Sequence, residues 1–396
     1  MVAPEAFTQE TTSEHAQRAW TMFRDWGSPQ YWVAPMVDQS ELAFRMLCRR
    51  HGSTAAYTPM LHSRIFLEDR GYREEHFTTC EGDRPLLVQF CANDAATLLA
   101  AAKLAQDRAD AIDLNLGCPQ RIARRGRYGA FLMDDLPLVE RIVRTCAEGL
   151  DVPVTCKIRV FPELHKTVEY AQMLERAGAS LIAVHGRLRE QKKSKGADAD
   201  WDVIKAVREA VSVPVLANGN IRTLHDVHHC LEYTGCAGVM SAESLLEDPA
   251  LFSPLRLQPG GDFKGAAGPK LLLEYLELAE QHPTPMRMVT GHAFKMLGHW
   301  LPEFTDLRDQ MNKQIPGFGI QHMRGIALEA VRRIEASGRD HAVPKISERA
   351  LARMEAEAAR AAAMEEQGKE DRLLQKLQAM RAKQQMLSES QTALVA

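Results

Sequence analysis

The sequence lacks the features that mark several large classes of protein. Its eight cysteines include no C-x-x-C pair, so neither a zinc ribbon nor a thioredoxin-type motif is visible and no metal site is expected. No apolar run approaches the roughly 18 residues of a membrane span. The opening stretch, MVAPEAFTQETTSEHAQ, lacks the basic-then-apolar order of a signal peptide. Charge of one sign is also lacking: 49 Lys and Arg against 52 Asp and Glu leave a net −3, which excludes a histone-like polycation. A near-neutral total still permits a local cationic patch that binds phosphates. Cys91, Cys146 and Cys156 sit in apolar stretches and read as reduced, buried side chains. The expectation is a soluble monomer of the cytoplasm or nucleus, with no membrane partner.

What is present is an alternation of short apolar runs with helical patterns. At 396 residues the chain has room for two or three domains, or for one large α/β barrel with additions. Residues 1–25 are polar without sustained periodicity and read as an N-terminal extension. Strand candidates follow at 31–35, 55–59, 86–91, 111–117, 152–160, 181–185, 213–218 and 237–241, with helical stretches between them such as 94–106, 136–148, 167–177, 201–210 and 224–233. The strands carry Val, Ile and Leu on both faces, as a buried parallel sheet requires. Eight strand-then-helix units in about 225 residues is the arithmetic of a (β/α)8 TIM barrel. A doubly wound sheet is the alternative, but it usually has fewer strands. The barrel is bounded at 26–258, a Gly/Pro-rich linker at 259–269, a small all-α domain at 270–337, and a charged helical or disordered tail at 338–396. Within the tail, Leu373, Leu377, Met380 and Leu387 recur at three-to-four spacing, too sparsely for clean heptads.

Reactive groups in such a barrel come from the C-terminal strand ends. Polar residues interrupt otherwise apolar strand ends at Gln89, Asp113, Asn115, Lys157, Arg159, His185, Asn218 and Asn220. Any one of them reads equally as a satisfied core polar group, but five strands doing so together points to a ligand on the barrel axis. The sharpest run is Asp113-Leu-Asn-Leu-Gly-Cys-Pro-Gln120, in which Gly117 and Pro119 fix the backbone around Cys118. Four arginines follow within seven residues (Arg121, Arg124, Arg125, Arg127), chemistry that suits phosphate oxygens. A second basic segment runs from His185 through Arg187, Arg189, Lys192 and Lys193 to Lys195. Both are expected as βα loops around one mouth. The turns at Asn218-Gly219-Asn220 and Ala242-Glu243 are placed where barrels hold a phosphate, after the last two strands.

These residues together resemble the tRNA-dihydrouridine synthase family. The likeness runs from Ala34-Pro35-Met36 through Val88-Gln89-Phe90, the block Asn115-Leu-Gly-Cys-Pro119, Arg125-Gly-Arg-Tyr-Gly-Ala-Phe-Leu132, Lys157-Ile-Arg159, Val184-His-Gly-Arg187 and Asn218-Gly219, to His322-Met-Arg324-Gly325. It covers about residues 30–335. Two departures stand out: Asn-Gly-Asn where members commonly carry Asn-Gly-Asp, and Ala242-Glu243-Ser244 where they commonly carry Gly-Arg-Gly. The second moves the flavin-phosphate contact onto backbone amides and nearby side chains. Val37-Asp-Gln-Ser40 and Met240-Ser-Ala-Glu243 resemble the eukaryotic subgroup that modifies positions 16 and 17 of the D-loop.

The resemblance implies an FMN-dependent reduction of uridine to 5,6-dihydrouridine in tRNA, with NADPH or NADH as hydride donor. It implies hydride addition at C6 and protonation at C5 by Cys118, kept as a thiol. Pro35, Met36, Val37 and Gln89 would hold the isoalloxazine, with Lys157 at its N1–O2 edge. His185, Asn218, Gly219, Asn220, Ala242 and Glu243 would hold the ribityl phosphate. Asn115 would meet the base, and Arg124, Arg125, Arg127, Arg159, Arg187, Lys192, Lys193, Lys195 and Arg324 would grip the RNA around an extruded nucleotide. No G-x-G-x-x-G follows a strand, so a separate Rossmann site is not expected. A barrel reductase of free pyrimidines and a non-catalytic tRNA-binding or folding scaffold are the alternatives.

Overall fold

A computed structural model of the chain describes residues 9–191, 198–257, 267–313 and 317–338. The expected strand segments are apolar on both faces and so are stable only where both are covered. They form β1 (Tyr31–Val33), β2 (Ala55–Tyr57), β3 (Leu61–His62), β4 (Leu86–Cys91), β5 (Ala111–Leu116), β6 (Val154–Val160), β7 (Ala179–Leu188), β8 (Val215–Asn218) and β9 (Gly238–Ser241). All pairings are parallel. β1 lies between β2 and β9, β2 pairs with β4, and β4 to β9 follow in chain order, so eight strands close into the expected TIM barrel. β3 was not separated in the sequence reading. It adds to the end of β4, with Leu61 beside Phe90 and His62 beside Cys91.

The inter-strand helices start where the sequence supplies caps. Asp94, Asp135, Asp200 and Thr223 each accept a first-turn backbone N–H, opening helices Ala95–Lys103, Leu136–Gly149, Trp201–Ala210 and Leu224–Thr234. One boundary moves with consequence: β7 runs on to Leu188, so Gly186 and Arg187 lie in a strand rather than in a loop.

The N-terminal extension also differs from expectation, because residues Gln9–Asp25 are a helix. Its buried positions, Ala16, Ala19 and Phe23, keep helical spacing, but two of the three are alanines and the apolar signal is therefore faint. The helix lies against the N-terminal ends of strands. The His15 ring donates to the Ala179 carbonyl (3.0 Å) and Trp20 Nε1 to the Ser212 carbonyl (2.8 Å). Phe23 stacks on Trp32 and joins Tyr57, Leu87, Ala111, Leu181, Leu216 and Met240 in one cluster.

After residue 267 the described elements are all helical, as expected: Gly268–Gln281, Met286–Met296, Thr305–Asn312 and Ile320–Ala336. They belong to the same compact unit as the barrel. Tyr275 donates to Glu41 Oε1 (2.7 Å), His292 Nε2 meets Glu41 Oε2 (3.0 Å), and the His292 ring stacks on Phe44. Most of the expected linker (259–266) and nearly all of the expected tail (339–396, with Leu373, Leu377, Met380 and Leu387) lie outside the described residues.

The loop after β1 is tied down by a buried ion pair. Arg45 and Asp83 are 1% and 0% exposed and meet at 2.6 Å. The Arg45 guanidinium also donates to the Ser40 carbonyl (2.6 Å) and the Thr78 carbonyl (2.8 Å), while Arg49 and Thr79 complete the shell of Asp83. Removing one partner of such a pair strands the other without solvent, at a cost of about 3–5 kcal/mol. Asp83→Ala is therefore expected to lower the unfolding free energy by about that amount in urea titrations. A loss below about 1 kcal/mol, the scale of an exposed pair, would contradict the assignment.

Candidate active site

Register sets the site. In the parallel ladder Gln89 lies beside Asp113 and Asp113 beside Thr155; one layer up, Asn115 lies beside Lys157; and Arg159, His185 and Asn218 are neighbours on β6, β7 and β8. Asp113 and Thr155 lie lower on their strands, and Asn115, Arg159, His185 and Asn218 lie near C-terminal strand ends, so side chains from five strands are stacked toward one mouth.

The deepest layer is a directed chain of hydrogen bonds. Thr155 Oγ1 donates to Asp113 Oδ1 (2.6 Å) and Gln89 Nε2 to Asp113 Oδ2 (2.8 Å). Gln89 Oε1 accepts from Asn115 Nδ2 (2.8 Å), and Asn115 Oδ1 accepts from the backbone N–H groups of Gly117 (3.1 Å) and Cys118 (2.9 Å). Gln89, Asp113 and Thr155 are fully buried. Burial pushes the Asp113 carboxyl up to about 6, against the lowering effect of its two donors and of Lys157.

That chain ends on the backbone of Cys118. Cys118 is half-buried, and its carbonyl accepts from Ala130 N (3.0 Å). Gly129 lies at φ +65°, and a Cβ there would fall 2.7 Å from the Cys118 carbonyl oxygen, so this close approach requires glycine. Cys118 packs against the small cluster of Cys91, Ala123 and Tyr128, as do Met60 and Phe131. Burial raises the Cys118 thiol above its ordinary value, outweighing a backbone hydrogen bond and the nearby Arg159 and Lys157. At neutral pH the group is a thiol.

The next layer is cationic. Lys157 Nζ donates to Asn218 Oδ1 (2.9 Å), and Asn218 Nδ2 donates to the Met240 carbonyl (2.8 Å). Burial, then the neighbouring Arg159, brings Lys157 down to about 8. Burial holds His185 well below its usual value, helped by Lys157, Arg159 and Arg187, so the ring is neutral. Its Nε2 accepts from Arg187 Nη1 (3.1 Å), which places its own proton on Nδ1. Arg187 Nη2 donates to Asn220 Oδ1 (2.7 Å). Gly219 (φ +115°) and Asn220 (φ +61°) are left-handed, and a Cβ on Gly219 would strike Ala199 at 2.5 Å.

Several sequence expectations are redrawn here. The Asn115 oxygen is committed to the Cys118 turn, and the Asn218 amide to Lys157 and β9. Arg159 is 6% exposed and spends its guanidinium on the carbonyls of Gly117, Leu188 and Gln191 (2.8–3.0 Å), so it braces the mouth from within. Arg187 is 8% exposed and groups with His185 and Asn220 rather than with an outer basic rim. Arg324 pairs with Glu280 at 2.6 Å. The segment after Gln120 is a short helix, Arg121–Gly126, not a loop. Its Ala123 is buried, whereas Arg121, Arg124, Arg125 and Arg127 are exposed and meet no carboxylate among the described residues. Pro35 and Met36 are half-buried and Val37 is 56% exposed, in a turn that Ser40 Oγ closes by accepting from Met36 N (3.0 Å). Ala242 precedes the five-residue helix Glu243–Glu247. Lys192, Lys193 and Lys195 lie outside the described residues. Among the described residues no cluster of His, Cys, Asp and Glu could hold a metal ion. Thr155 escaped the sequence reading because a lone Thr in an apolar strand is ordinary; only its register beside Asp113 marks it.

The dihydrouridine synthase family profile matches residues 32–316. A rat protein named as a tRNA-dihydrouridine(16/17) synthase (NAD(P)+)-like is 54% identical over 289 residues, covering 72% of this chain and 64% of that one. The Saccharomyces cerevisiae tRNA-dihydrouridine(16/17) synthase (NAD(P)+) is 43% identical over 304 residues, covering 73% and 70%. A human tRNA-dihydrouridine(20a/20b) synthase (NAD(P)+)-like protein is 38% identical over 267 residues, covering 67% and 80%. The chain spans less than two thirds of the rat relative and 60% of a mouse relative with the same name. With the closed barrel, the cysteine turn and the profile match all in the same stretch, this chain belongs to the dihydrouridine synthase family.

Proposed function

We propose that this chain reduces the C5=C6 bond of uridine in the D-loop of tRNA, at positions 16 and 17, using FMN and NAD(P)H. The observation that carries the reading is a thiol kept protonated by burial at the same barrel mouth as the buried cation Lys157. The names of the rat and yeast relatives support tRNA, the two positions and the nicotinamide donor.

The donor set suits an anionic, planar cofactor with a phosphate tail. Lys157 offers a positive charge to the ring's electron-rich edge, and Pro35, Met36 and Val37 flank the same mouth, while Gln89 lies beneath it with both amide ends taken by Asp113 and Asn115. Arg187, held between His185 and Asn220, supplies a guanidinium near the Ala242–Glu243 turn, where the family's usual arginine is missing. Bound at this mouth, FMN would supply to C6 of the base a hydride drawn from NAD(P)H. Cys118 then gives its Sγ proton to C5, where the enolate charge of the uracil collects. The thiolate that remains faces Arg159 and Lys157 and recovers a proton from solvent. Exposed Arg121, Arg124, Arg125 and Arg127 engage phosphates, with Lys192, Lys193 and Lys195 in the same role, and the helices from Gly268 onward grip the RNA by shape. Extrusion of the target base follows from the depth of the thiol, since a stacked uridine cannot reach it.

The reading is tested by measuring flavin absorbance in the purified protein and dihydrouridine by mass spectrometry of treated tRNA. A colourless protein, or one active on free uridine without tRNA, would overturn it. Cys118→Ala is expected to retain flavin while tRNA reduction falls roughly 10²–10⁴-fold, the usual worth of a positioned acid. Wild-type turnover by that variant removes Cys118 from the mechanism. Lys157 carries its charge below pH 8 and loses it above. Flavin reduction by NADPH in stopped flow should therefore slow as pH rises through about 8, and Lys157→Met should be slow throughout. A flat wild-type profile would rule out the electrostatic role.

A further inference from the structure

Asp113 touches neither mouth nor solvent, yet it stands at the head of the hydrogen-bond chain that ends on Cys118. We propose that Asp113 is a positioning residue for Cys118, acting by fixing which way the Gln89 amide points. A side-chain amide is a donor at one end and an acceptor at the other, and nothing in its shape decides between them. The ends of this chain decide. Gly117 and Cys118 present two backbone N–H groups, so the Asn115 atom facing them must be its oxygen. Asn115 Nδ2 then faces Gln89, whose oxygen must take that side. Gln89 Nε2 is thereby turned inward, where it needs an acceptor in a place closed to water. Asp113 Oδ2 is that acceptor at 2.8 Å, and Thr155 holds the other carboxylate oxygen at 2.6 Å. With no acceptor at position 113 the preference for this amide orientation disappears. Asn115 is then free to reverse, and the turn loses both of its caps.

The proposal rests on Cys118 being the reactive group, but its test does not depend on tRNA reduction. Gln89→Glu keeps an oxygen toward Asn115 and places a second oxygen against Asp113 Oδ2, so two carboxylates share one 2.8 Å contact. They tolerate this while one proton bridges them and separate once it is lost. Adding Asp113→Asn exchanges donor and acceptor across the same contact. The amide introduced at position 113 donates to the carboxylate introduced at position 89, and its own oxygen still accepts from Thr155. Asp113→Asn alone is expected to be mild, because the Thr155 hydroxyl can accept as well as donate and lets the new amide turn its oxygen to Gln89.

The readout is the rate of iodoacetamide labelling at Cys118 between pH 5 and 9, resolved by peptide mass spectrometry; six of the other seven cysteines are buried. In Gln89→Glu the rate should match wild type at the acid end and rise roughly tenfold above it once the bridging proton is lost, as expected when buried hydrogen bonds to a turn are broken. In the double variant the wild-type profile should return. Should Gln89→Glu fail to fold, recovery of folded protein with wild-type labelling in the double variant carries the same conclusion. A wild-type profile in Gln89→Glu, or a double variant no better than that single change, overturns the proposal. Wild-type protein that labels as expected but reduces no tRNA would instead count against the proposed activity and leave the positioning role standing.

Discussion

The Asp113 carboxylate sits inside a closed barrel with no exposed surface, and the layers above it are arranged so as to satisfy it. A charge in such a place must be met by donors or neutralised. Thr155 and Gln89 supply donors from the two flanking strands because parallel register sets them level with it. What propagates upward is direction. Each amide in turn has one end specified by the layer below and offers the other to the layer above, until the last oxygen holds the backbone of the cysteine turn. Buried polar networks commonly stabilise little in net terms. Here the network's product is geometry: a thiol whose place is fixed by strand-borne atoms rather than by a flexible loop.

The cations at the mouth divide by burial into two populations with different work. Lys157, Arg159 and Arg187 are enclosed and lowered by burial, and each is tied to protein oxygen or nitrogen atoms. Burial first, and then their summed field, keeps His185 neutral. Arg121, Arg124, Arg125 and Arg127 stand in solvent on and just after a single short helix, where a guanidinium is worth little to stability but remains available to a polyanion. A net charge of −3 conceals this division, since acidic residues elsewhere balance both groups.

The barrel was legible because eight apolar runs bounded by caps and turn residues leave few other closures, and each of those eight strands forms. The site was legible as a set of residue types at strand ends. Their partners were not, because register and side-chain direction are tertiary facts: Arg187 reads as a rim cation from the charge run and Arg159 as an RNA contact from the resemblance, while β7 continues past His185 and encloses both. The helix Gln9–Asp25 was missed for another reason. Alanines at two of its described buried positions contribute close packing without a hydrophobic signature, and Phe23 carries apolar bulk into the cluster with Trp20 and Met22 packed beside it. It also precedes residue 32, where the family match begins. Arg324, a residue of the helical motif, has a partner the sequence does not reveal, Glu280 of the helix Gly268–Gln281.

The helices beyond Gly268 are not independent of the mouth. The turn Pro35–Ser40, proposed to flank the flavin, is followed at once by Glu41, whose two carboxylate oxygens are both taken by those helices through Tyr275 and His292. Burial alone would raise that carboxyl, yet His292 and Tyr275 bring it below its ordinary value. At the turn's other face Arg287 bridges Asp38 (3.4 Å) and Glu75 (2.7 Å), and Arg45 grips the Ser40 carbonyl from behind. A turn held from three sides cannot shift without one of these contacts breaking. The surface proposed to meet RNA on the helices and the turn proposed to meet cofactor on the barrel therefore share one buried seam at Glu41.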